Sequence, residues 1–151
     1  MPEGTKTVVS NRRARYEFAL ETPIEAGMVL TGSEVKSLRA GQATLAESFV
    51  DVRKQGIDLV GCHISPYEHA TMDQHLPTRR RRLLLNKKEI EKLRKGVEQK
   101  GYTIVPLKIY FRSGRAKLEI ALGKGKKLHD KRQAIAERES KVRIDRAMRD
   151  R

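Results

Sequence analysis

Residues 102–123 read YTIVPLKIYFRSGRAKLEIALG and decide the fold class. On each side of Ser113-Gly114, apolar residues alternate with mostly polar ones. The apolar residues are Val105, Leu107, Ile109 and Phe111 before the turn and Ala116, Leu118, Ile120 and Leu122 after it. A period of two across a short turn that contains glycine is typical of a half-buried β-hairpin. Its polar face would carry Lys108, Arg112 and Lys117.

Shorter apolar runs elsewhere in the chain predict further strands. A second hairpin is expected over Ser48–Ile64, where SFVDV and IDLVGCHI flank Lys54-Gln55-Gly56. Two more strands are expected over Arg15–Glu21 and Met28–Thr31. The polar stretch Pro66–Arg82 is interpreted as a long loop. The total is about six short strands.

A helix is predicted directly after Leu85. Asn86 can cap it, Glu89 completes a capping box, and Leu85 can pack on Ile90 as a hydrophobic staple. Gly101 is placed to end the helix. Apolar residues one turn apart would form its buried stripe, namely Ile90, Leu93 and Val97.

A second helix is predicted over Glu34–Ala40, where Val35 and Leu38 would face inward and Gly41 would end the helix. Runs of strands with two or three inserted helices favour a mainly β chain that forms a small antiparallel β-barrel over a parallel βαβ sheet.

Residues 123–151 read GKGKKLHDKRQAIAERESKVRIDRAMRDR and form a basic tail. They hold eleven Lys or Arg and five Asp or Glu, with no Phe, Tyr or Trp. Such a segment buries too little apolar surface to offset the entropy of ordering, so we expect it to be disordered alone. Leu128, Ile135 and Val142 recur every seven residues and predict a helix that forms when a partner binds. We therefore divide the chain into a folded domain, residues 1–122, and a flexible tail, residues 123–151.

Composition limits the function classes. The 151-residue chain has a formal net charge of +14, which favours nucleic acid as a partner over an anionic membrane surface. No apolar run is long enough to span a membrane, and the amino-terminal residues lack the apolar core of a signal peptide. One cysteine, Cys62, excludes an intramolecular disulfide and is interpreted as a small strand residue. We expect a cytoplasmic protein without a membrane partner.

Nothing in the sequence indicates catalysis or a cofactor. His63, His69 and His75 are spaced by six and six, which matches no common zinc motif, so no metal site is predicted. Nucleophile elbows, Walker loops and dinucleotide fingerprints are absent. The acidic residues Glu25, Glu34, Glu47 and Asp51 are interpreted as scattered surface carboxylates. The chain is therefore predicted not to be an enzyme.

Three basic clusters predict a protein that binds a nucleic-acid backbone from several sides. The first contains Arg12, Arg13 and Arg15, the second Arg79 to Arg82, and the third Lys124, Lys126 and Lys127. Arginine makes two-pronged contacts to phosphate and stacks on bases. Because the chain has three Phe, four Tyr and no Trp, we expect it to recognise RNA shape and backbone more than splayed bases.

Several longer runs resemble the SsrA-binding protein family, also called small protein B (SmpB). They are Asn11-Arg12-Arg13-Ala14-Arg15-Tyr16-Glu17, Glu34-Val35-Lys36-Ser37-Leu38-Arg39-Ala40-Gly41, Pro77-Thr78-Arg79 with Leu83-Leu84-Leu85-Asn86, and Gly123-Lys124-Gly125-Lys126-Lys127 with His129-Asp130-Lys131-Arg132. The resemblance covers essentially the whole chain. One departure is Leu76, where family members usually have an acidic residue.

The resemblance implies an oligonucleotide-binding-type barrel that binds the tRNA-like end of transfer-messenger RNA and delivers it to stalled ribosomes. Elongation factor Tu would join the delivery complex, and the tail would enter the decoding site and mRNA channel of the small subunit. The implied RNA-binding residues are Asn11, Arg12, Arg13, Arg15, Glu25, Lys36, Arg39, Arg79, Arg81 and Leu84. The implied residues of the tail are Lys124, Lys126, Lys127, His129, Asp130, Lys131 and Arg132.

Two other classes stay open when the residues are considered without the resemblance. A structural ribosomal protein would also be small, basic and tailed, but it would co-purify with all ribosomes rather than with stalled ones. An RNA-processing nuclease would need clustered carboxylates or a histidine acid/base pair, and would release specific cleavage products from structured RNA.

Overall fold

The predicted hairpin at residues 102–123 forms the centre of the sheet in the computed structural model, which describes residues 5–67 and 74–126. The strands are β1 Thr5–Ser10, β2 Phe18–Leu20, β3 Ile24–Met28, β4 Ala43–Thr44, β5 Phe49–Arg53, β6 Gly56–Val60, β7 His63–Ile64, β8 Arg81–Leu84, β9 Thr103–Arg112 and β10 Arg115–Gly125. The helices are α1 Ala14–Glu17, α2 Gly32–Arg39 and α3 Lys87–Lys100. The predictions for His69, Lys127, His129 to Arg132 and the helical line Leu128, Ile135 and Val142 lie outside the described residues.

Antiparallel pairing joins most strands in one sheet. Its order is β1, β9, β10, β3, β8, β6 and β5, and β2 pairs with the far end of β10. The sheet curls so that β5, at one end of this order, contacts β9 near the other. The short strands β4 and β7 form a separate pair. The structure is thus the mainly antiparallel β-barrel that the sequence predicts.

The barrel core is built from alternate residues of these strands and from apolar residues of both longer helices. Leu118 and Ile120 of β10 and Leu59 of β6 are fully buried, as are Leu38 of α2 and Leu93 of α3. Each such side chain contributes about 1.5–3 kcal/mol relative to an exposed one. Val35 of α2 and Ile90 and Val97 of α3 also pack against this core, so the predicted apolar stripes of both helices are confirmed and close the barrel.

A β-bulge divides the apolar face of β9. We predicted that Val105, Leu107, Ile109 and Phe111 face one core, and this is wrong for the first two. The pairing with β10 shifts register between Glu119 and Ile120, which reverses the face of the residues before the shift. Ile109 and Phe111 remain in the main core, whereas Val105 and Leu107 pack with Ala14 and Ala121 in a second cluster.

In the first 64 residues, three predicted segments differ from the structure. Residues 14–17 form α1, not a strand, because the chain turns at Arg13 and only residues 18–20 then pair with β10. The strand predicted over Met28–Thr31 lies at Ile24–Met28, and Thr31 caps α2 instead. The second hairpin is confirmed at β5 and β6, but its second strand ends at Val60, where Gly61 has a φ of +78°.

Strand β8 was not predicted, and it begins inside the segment Pro66–Arg82 that was interpreted as a loop. Arg81 and Leu83 of β8 face inward and Arg82 and Leu84 face outward. Four arginines in a row mask this alternation in the sequence, because the apolar signal that marks a strand is missing.

Both longer helices begin at capping boxes. Asn86 accepts a hydrogen bond from the Glu89 amide, and Gly101 ends α3 in the left-handed conformation at φ +68°, as predicted. α2 starts two residues before its predicted start, because Thr31 and Glu34 form the same box. Gly41, at φ +74°, follows its end.

Strand β10 continues to Gly125, so the prediction that the chain loosens at Gly123 is wrong for residues 123–125. Gly123, Lys124 and Gly125 pair with Leu20, Ala19 and Phe18. The Lys126 amide donates to the Glu17 carbonyl at 2.9 Å. A barrel with an appended tail stays a prediction, but the tail would leave the folded part no earlier than Lys126.

Candidate nucleic-acid interface

The outer face of β9, β10 and β3 carries a connected group of polar side chains. The Tyr110 hydroxyl donates to the Glu25 carboxylate, and Arg112 donates to both Glu25 oxygens at 3.2 and 3.1 Å. Lys108 pairs with Glu119 at 3.3 Å. The strand pairing explains this arrangement, because Glu119 lies opposite both Lys108 and Glu25.

The hydrogen bond from Tyr110 lowers the pKa of Glu25, and Arg112 adds to the effect. Burial and the same bond to Glu25 raise the pKa of the Tyr110 phenol. Glu25 is therefore a charged acceptor held in one orientation, and Tyr110 keeps its proton. Glu25 was predicted from the family resemblance. Tyr110 was missed, although its alternation with Lys108 and Arg112 placed it on the same face.

Leu84 extends this face towards β8. It is 59% exposed and lies opposite Gly27, whose missing side chain leaves room for it: a Cβ at Gly27 would be 3.2 Å from the Leu84 Cβ. Val29 is also exposed nearby, and its amide bonds the Arg82 carbonyl. An exposed apolar pair beside a polar sheet face is suited to contact with sugars and base edges.

Asn11 anchors the first basic cluster at the end of β1. Its side-chain amide donates to the Pro106 carbonyl at 3.0 Å, and its backbone amide donates to Leu107 at 2.7 Å. These bonds fix the turn from which exposed Arg12, Arg13 and Arg15 project. None of the three forms an ion pair within residues 5–67 and 74–126. The cluster therefore presents an exposed positive surface.

Lys124 and Lys126, which we assigned to the tail, lie beside this cluster. Exposed Lys124 pairs with Ala19 in the sheet, and the backbone of Lys126 is bonded to Glu17 of α1. The third basic cluster thus begins where the first one ends. The strand pairing joins two clusters that are more than a hundred residues apart in sequence.

The second basic cluster, Arg79 to Arg82, is largely neutralised. Arg79 and Arg81 both bond Glu34, and Arg80 and Arg82 both bond Asp58, with a further bond from Arg80 to Asp51. The sequence predicted Glu34 to be one of several scattered surface carboxylates. This is wrong, because Glu34 is fully buried. Alternation along β8 sends Arg81 inward and Arg82 outward, whereas Arg79 and Arg80 precede the strand and are both half-buried. The cluster therefore contributes little free positive charge.

Arg81 is the most buried of the predicted RNA-binding residues. Its side chain is 0% exposed, and its guanidinium donates to Glu34 at 2.5 Å, to the Cys62 carbonyl and to the Pro77 carbonyl. Burial raises the pKa of Glu34, but hydrogen bonds from Arg79, the Thr31 amide and Arg81 outweigh it and lower the pKa to about 2. In the unbound fold Arg81 acts as a structural residue.

Lys36 and Arg39 lie on a different side of the barrel. The Arg39 guanidinium lies 4.9 Å from the ring centre of Phe111, and the Lys36 amine 5.5 Å from that of Tyr67. Phe111 and Tyr110 are consecutive in β9 and face opposite sides of the sheet. Lys36 and Arg39 are therefore separate from the face around Glu25, so the predicted RNA-binding residues do not form one surface.

No metal site is found among the described residues, since no three potential ligands come together there. Buried His75 bonds Ser33 at 2.8 Å and the Ile64 carbonyl at 2.9 Å. Cys62 lies between β6 and β7, not in a strand, and burial raises its pKa to about 11. Within the part of the chain that the structure describes, no helix is long and apolar enough to cross a membrane.

Comparison with known proteins gives one consistent result. The family model described as "SmpB protein" matches residues 8–150. The SsrA-binding protein of Bifidobacterium longum (strain DJO10A) is 50% identical over 147 residues, which cover 97% of this chain and 93% of that protein. The SsrA-binding protein of Thermobifida fusca (strain YX) is also 50% identical over 147 residues, 97% of this chain and 92% of its own length.

A solved structure is similar as well. A chain described under "tmRNA-SmpB: a journey to the center of the bacterial ribosome" aligns with a TM-score of 0.66 at 43% identity, and the alignment covers 83% of this chain and 92% of that one. The family model and the two relatives extend over the barrel and most of residues 123–151. On the family model and the identity across nearly its full length, the chain belongs to the SmpB family.

Proposed function

We propose that this chain is an RNA-binding adaptor of trans-translation, which binds the tRNA-like domain of transfer-messenger RNA and delivers it to stalled ribosomes for rescue and peptide tagging. The observation that carries the proposal is 50% identity to SsrA-binding proteins over 97% of the chain. The similar tmRNA–SmpB structure supports the ribosome as the second partner. The activity is recognition and positioning, with no bond-making step.

The RNA surface that we propose combines the first basic cluster with the polar outer face of β9, β10 and β3. Its residues are Asn11, Arg12, Arg13, Arg15, Glu25 and Leu84, with Lys108, Tyr110 and Arg112 on the adjoining sheet face. Arg12, Arg13 and Arg15 supply phosphate contacts, and Asn11 holds them in place. Arg81 supports this surface from inside the barrel, and half-buried Arg79 shares its partner Glu34. Lys36 and Arg39 form a second, smaller positive surface on α2.

The tail completes the proposal. We propose that Lys127 and His129 act in the decoding site, where His129 stacks, and that Asp130, Lys131 and Arg132 act in accommodation or translocation. The tail also enters the mRNA channel. Elongation factor Tu would take part in delivery. A cytoplasmic location follows from these partners.

Truncation tests the division of labour between barrel and tail. The cut is made after Lys126, because removing residues 123–125 would also remove the pairing of β2 with β10. Binding of the transcribed tRNA-like domain should stay within about threefold of the full chain, less than 1 kcal/mol. Peptide tagging on stalled ribosomes should be lost. A large loss of RNA affinity would contradict the two-part assignment, and full tagging by the truncated chain would contradict the role of the tail.

A further inference from the structure

A cleft of about 260 Å³ opens beside the first basic cluster. One wall is the turn from Asn11 into α1, the other is the segment before β5 with Phe49 at its end, and the floor is the start of β9. β1 pairs with β9 only as far as Lys108, so it does not cover the residues at the start of β9. The cleft is thus a gap in the barrel wall.

Phe49 gives the cleft an aromatic wall that faces solvent. Its side chain is 51% exposed, whereas Phe111 is 8% exposed. Val50 is buried, so the alternation of β5 directs Phe49 outward. Leaving a phenylalanine in water forgoes much of the stabilisation that its burial would provide. An exposed ring beside a cationic surface is the platform on which an unstacked base binds.

The charged groups of the cleft distinguish a base from a phosphate. Glu17 and Glu47 line the cleft, and neither forms an ion pair within the described parts of the chain. Two carboxylates repel a phosphate, but they accept hydrogen bonds from amino groups of adenine, cytosine or guanine. Exposed Arg13 lies at the same cleft and can hold the phosphate of the same nucleotide.

We propose that this cleft binds one unpaired, amino-bearing base of the RNA, stacked on Phe49 with its amino edge towards Glu17 and Glu47. The proposal rests on the proposed function, because it takes the tRNA-like domain as the source of the base. It assigns the barrel one point of base readout in addition to its contacts with the RNA backbone.

The test compares full-length variants for binding of the transcribed tRNA-like domain. Stacking of one base predicts that Phe49→Ala weakens binding between about 5-fold and about 150-fold. Phe49→Trp should bind like the wild-type protein, because tryptophan restores the stacking surface. The matched control is Leu76→Ala, which removes an exposed apolar side chain, 74% exposed, outside the cleft and should leave binding unchanged. Equal far-ultraviolet circular dichroism and melting show that each variant folds.

A second measurement identifies the base. Each unpaired nucleotide is made abasic in turn, and the losses are combined with Phe49→Ala in double-mutant cycles. One abasic site should weaken wild-type binding at least as much as Phe49→Ala does, and Phe49→Ala should cause no further loss with that abasic RNA. Additive losses at every position, or unchanged binding by Phe49→Ala, would overturn the proposal. If Arg12→Ala and Arg13→Ala weaken binding while Phe49→Ala does not, only the base site fails; if the wild-type chain does not bind, the proposed function fails.

Discussion

Replacing Glu34 with glutamine should destabilise the domain by about 3 kcal/mol. The magnitude comes from the pKa of Glu34, which is lowered from its ordinary value of 4.5 to about 2. At about 1.4 kcal/mol for each pH unit, this difference corresponds to about 3 kcal/mol of stability. Glutamine also leaves buried Arg81 without a counter-charge, and breaking a buried pair in this way costs about 3–5 kcal/mol.

The same shift predicts how stability depends on pH. The pKa is lower in the folded state than in the unfolded state, so the contribution of Glu34 is complete above pH 4.5. It is lost as the pH falls from 4.5 towards about 2. The Glu34→Gln variant lacks this contribution, so its stability should fall less steeply than that of the wild-type protein over this interval.

Urea unfolding followed by circular dichroism measures both effects, at pH 7 and at steps down to pH 3. Glu91→Gln is the matched control, because Glu91 is exposed on α3 and has no ion pair among the described residues. It should change stability by less than about 0.5 kcal/mol. If Glu34→Gln costs less than about 1 kcal/mol, or keeps the wild-type pH dependence, Glu34 does not hold Arg79 and Arg81 as described.

Three further predictions follow from other contacts. Gly96→Ala should lower the free energy of unfolding in urea by about 1–3 kcal/mol, because the added Cβ would lie 2.6 Å from a Leu122 methyl carbon. Helix propensity alone predicts a gain in stability, and such a gain would refute the close contact. Tyr110→Phe should raise the pKa of Glu25 in a carboxyl NMR titration, since it removes the hydrogen bond that lowers it; an unchanged pKa would mean that Arg112 alone holds Glu25. A fourfold rise in salt should weaken binding of the tRNA-like domain about 40-fold if three phosphates are contacted, whereas a flat response would exclude the basic clusters as the contact.

The local elements of this fold were predictable from the sequence. The capping box at Asn86 and Glu89 depends on residues three apart, and the hairpin around Ser113-Gly114 depends on alternation beside a short turn. Such signals need only near neighbours along the chain. β8 was missed because its inward residue Arg81 is charged, and the register shift in β9 was missed because a bulge leaves no signal in the alternation itself.

The candidate site was predictable in composition but not in arrangement. Three basic clusters are visible in the sequence, and two of them, around Arg12 and Lys124, prove to lie side by side through the pairing of β2 with β10. The second cluster, Arg79 to Arg82, is largely neutralised by Glu34, Asp51 and Asp58, which come from other elements. Charge counted along a chain does not show which charges face one another.

The sequence by itself determined the class of this protein: a β-rich barrel with capped helices, an excess of positive charge and the motifs of the SmpB family. These properties rest on local patterns and composition. Only the tertiary structure decided which arginines are exposed and able to bind RNA, and which form ion pairs within the fold. Glu34 and Arg81 are 47 residues apart, and packing of α2 against β8 buries both together. A buried charge without a partner is costly, so Arg81 and Glu34 stabilise each other and Arg81 supports the fold. Arg12, Arg13 and Arg15 are exposed and form no ion pair among the described residues, so they remain available for phosphate.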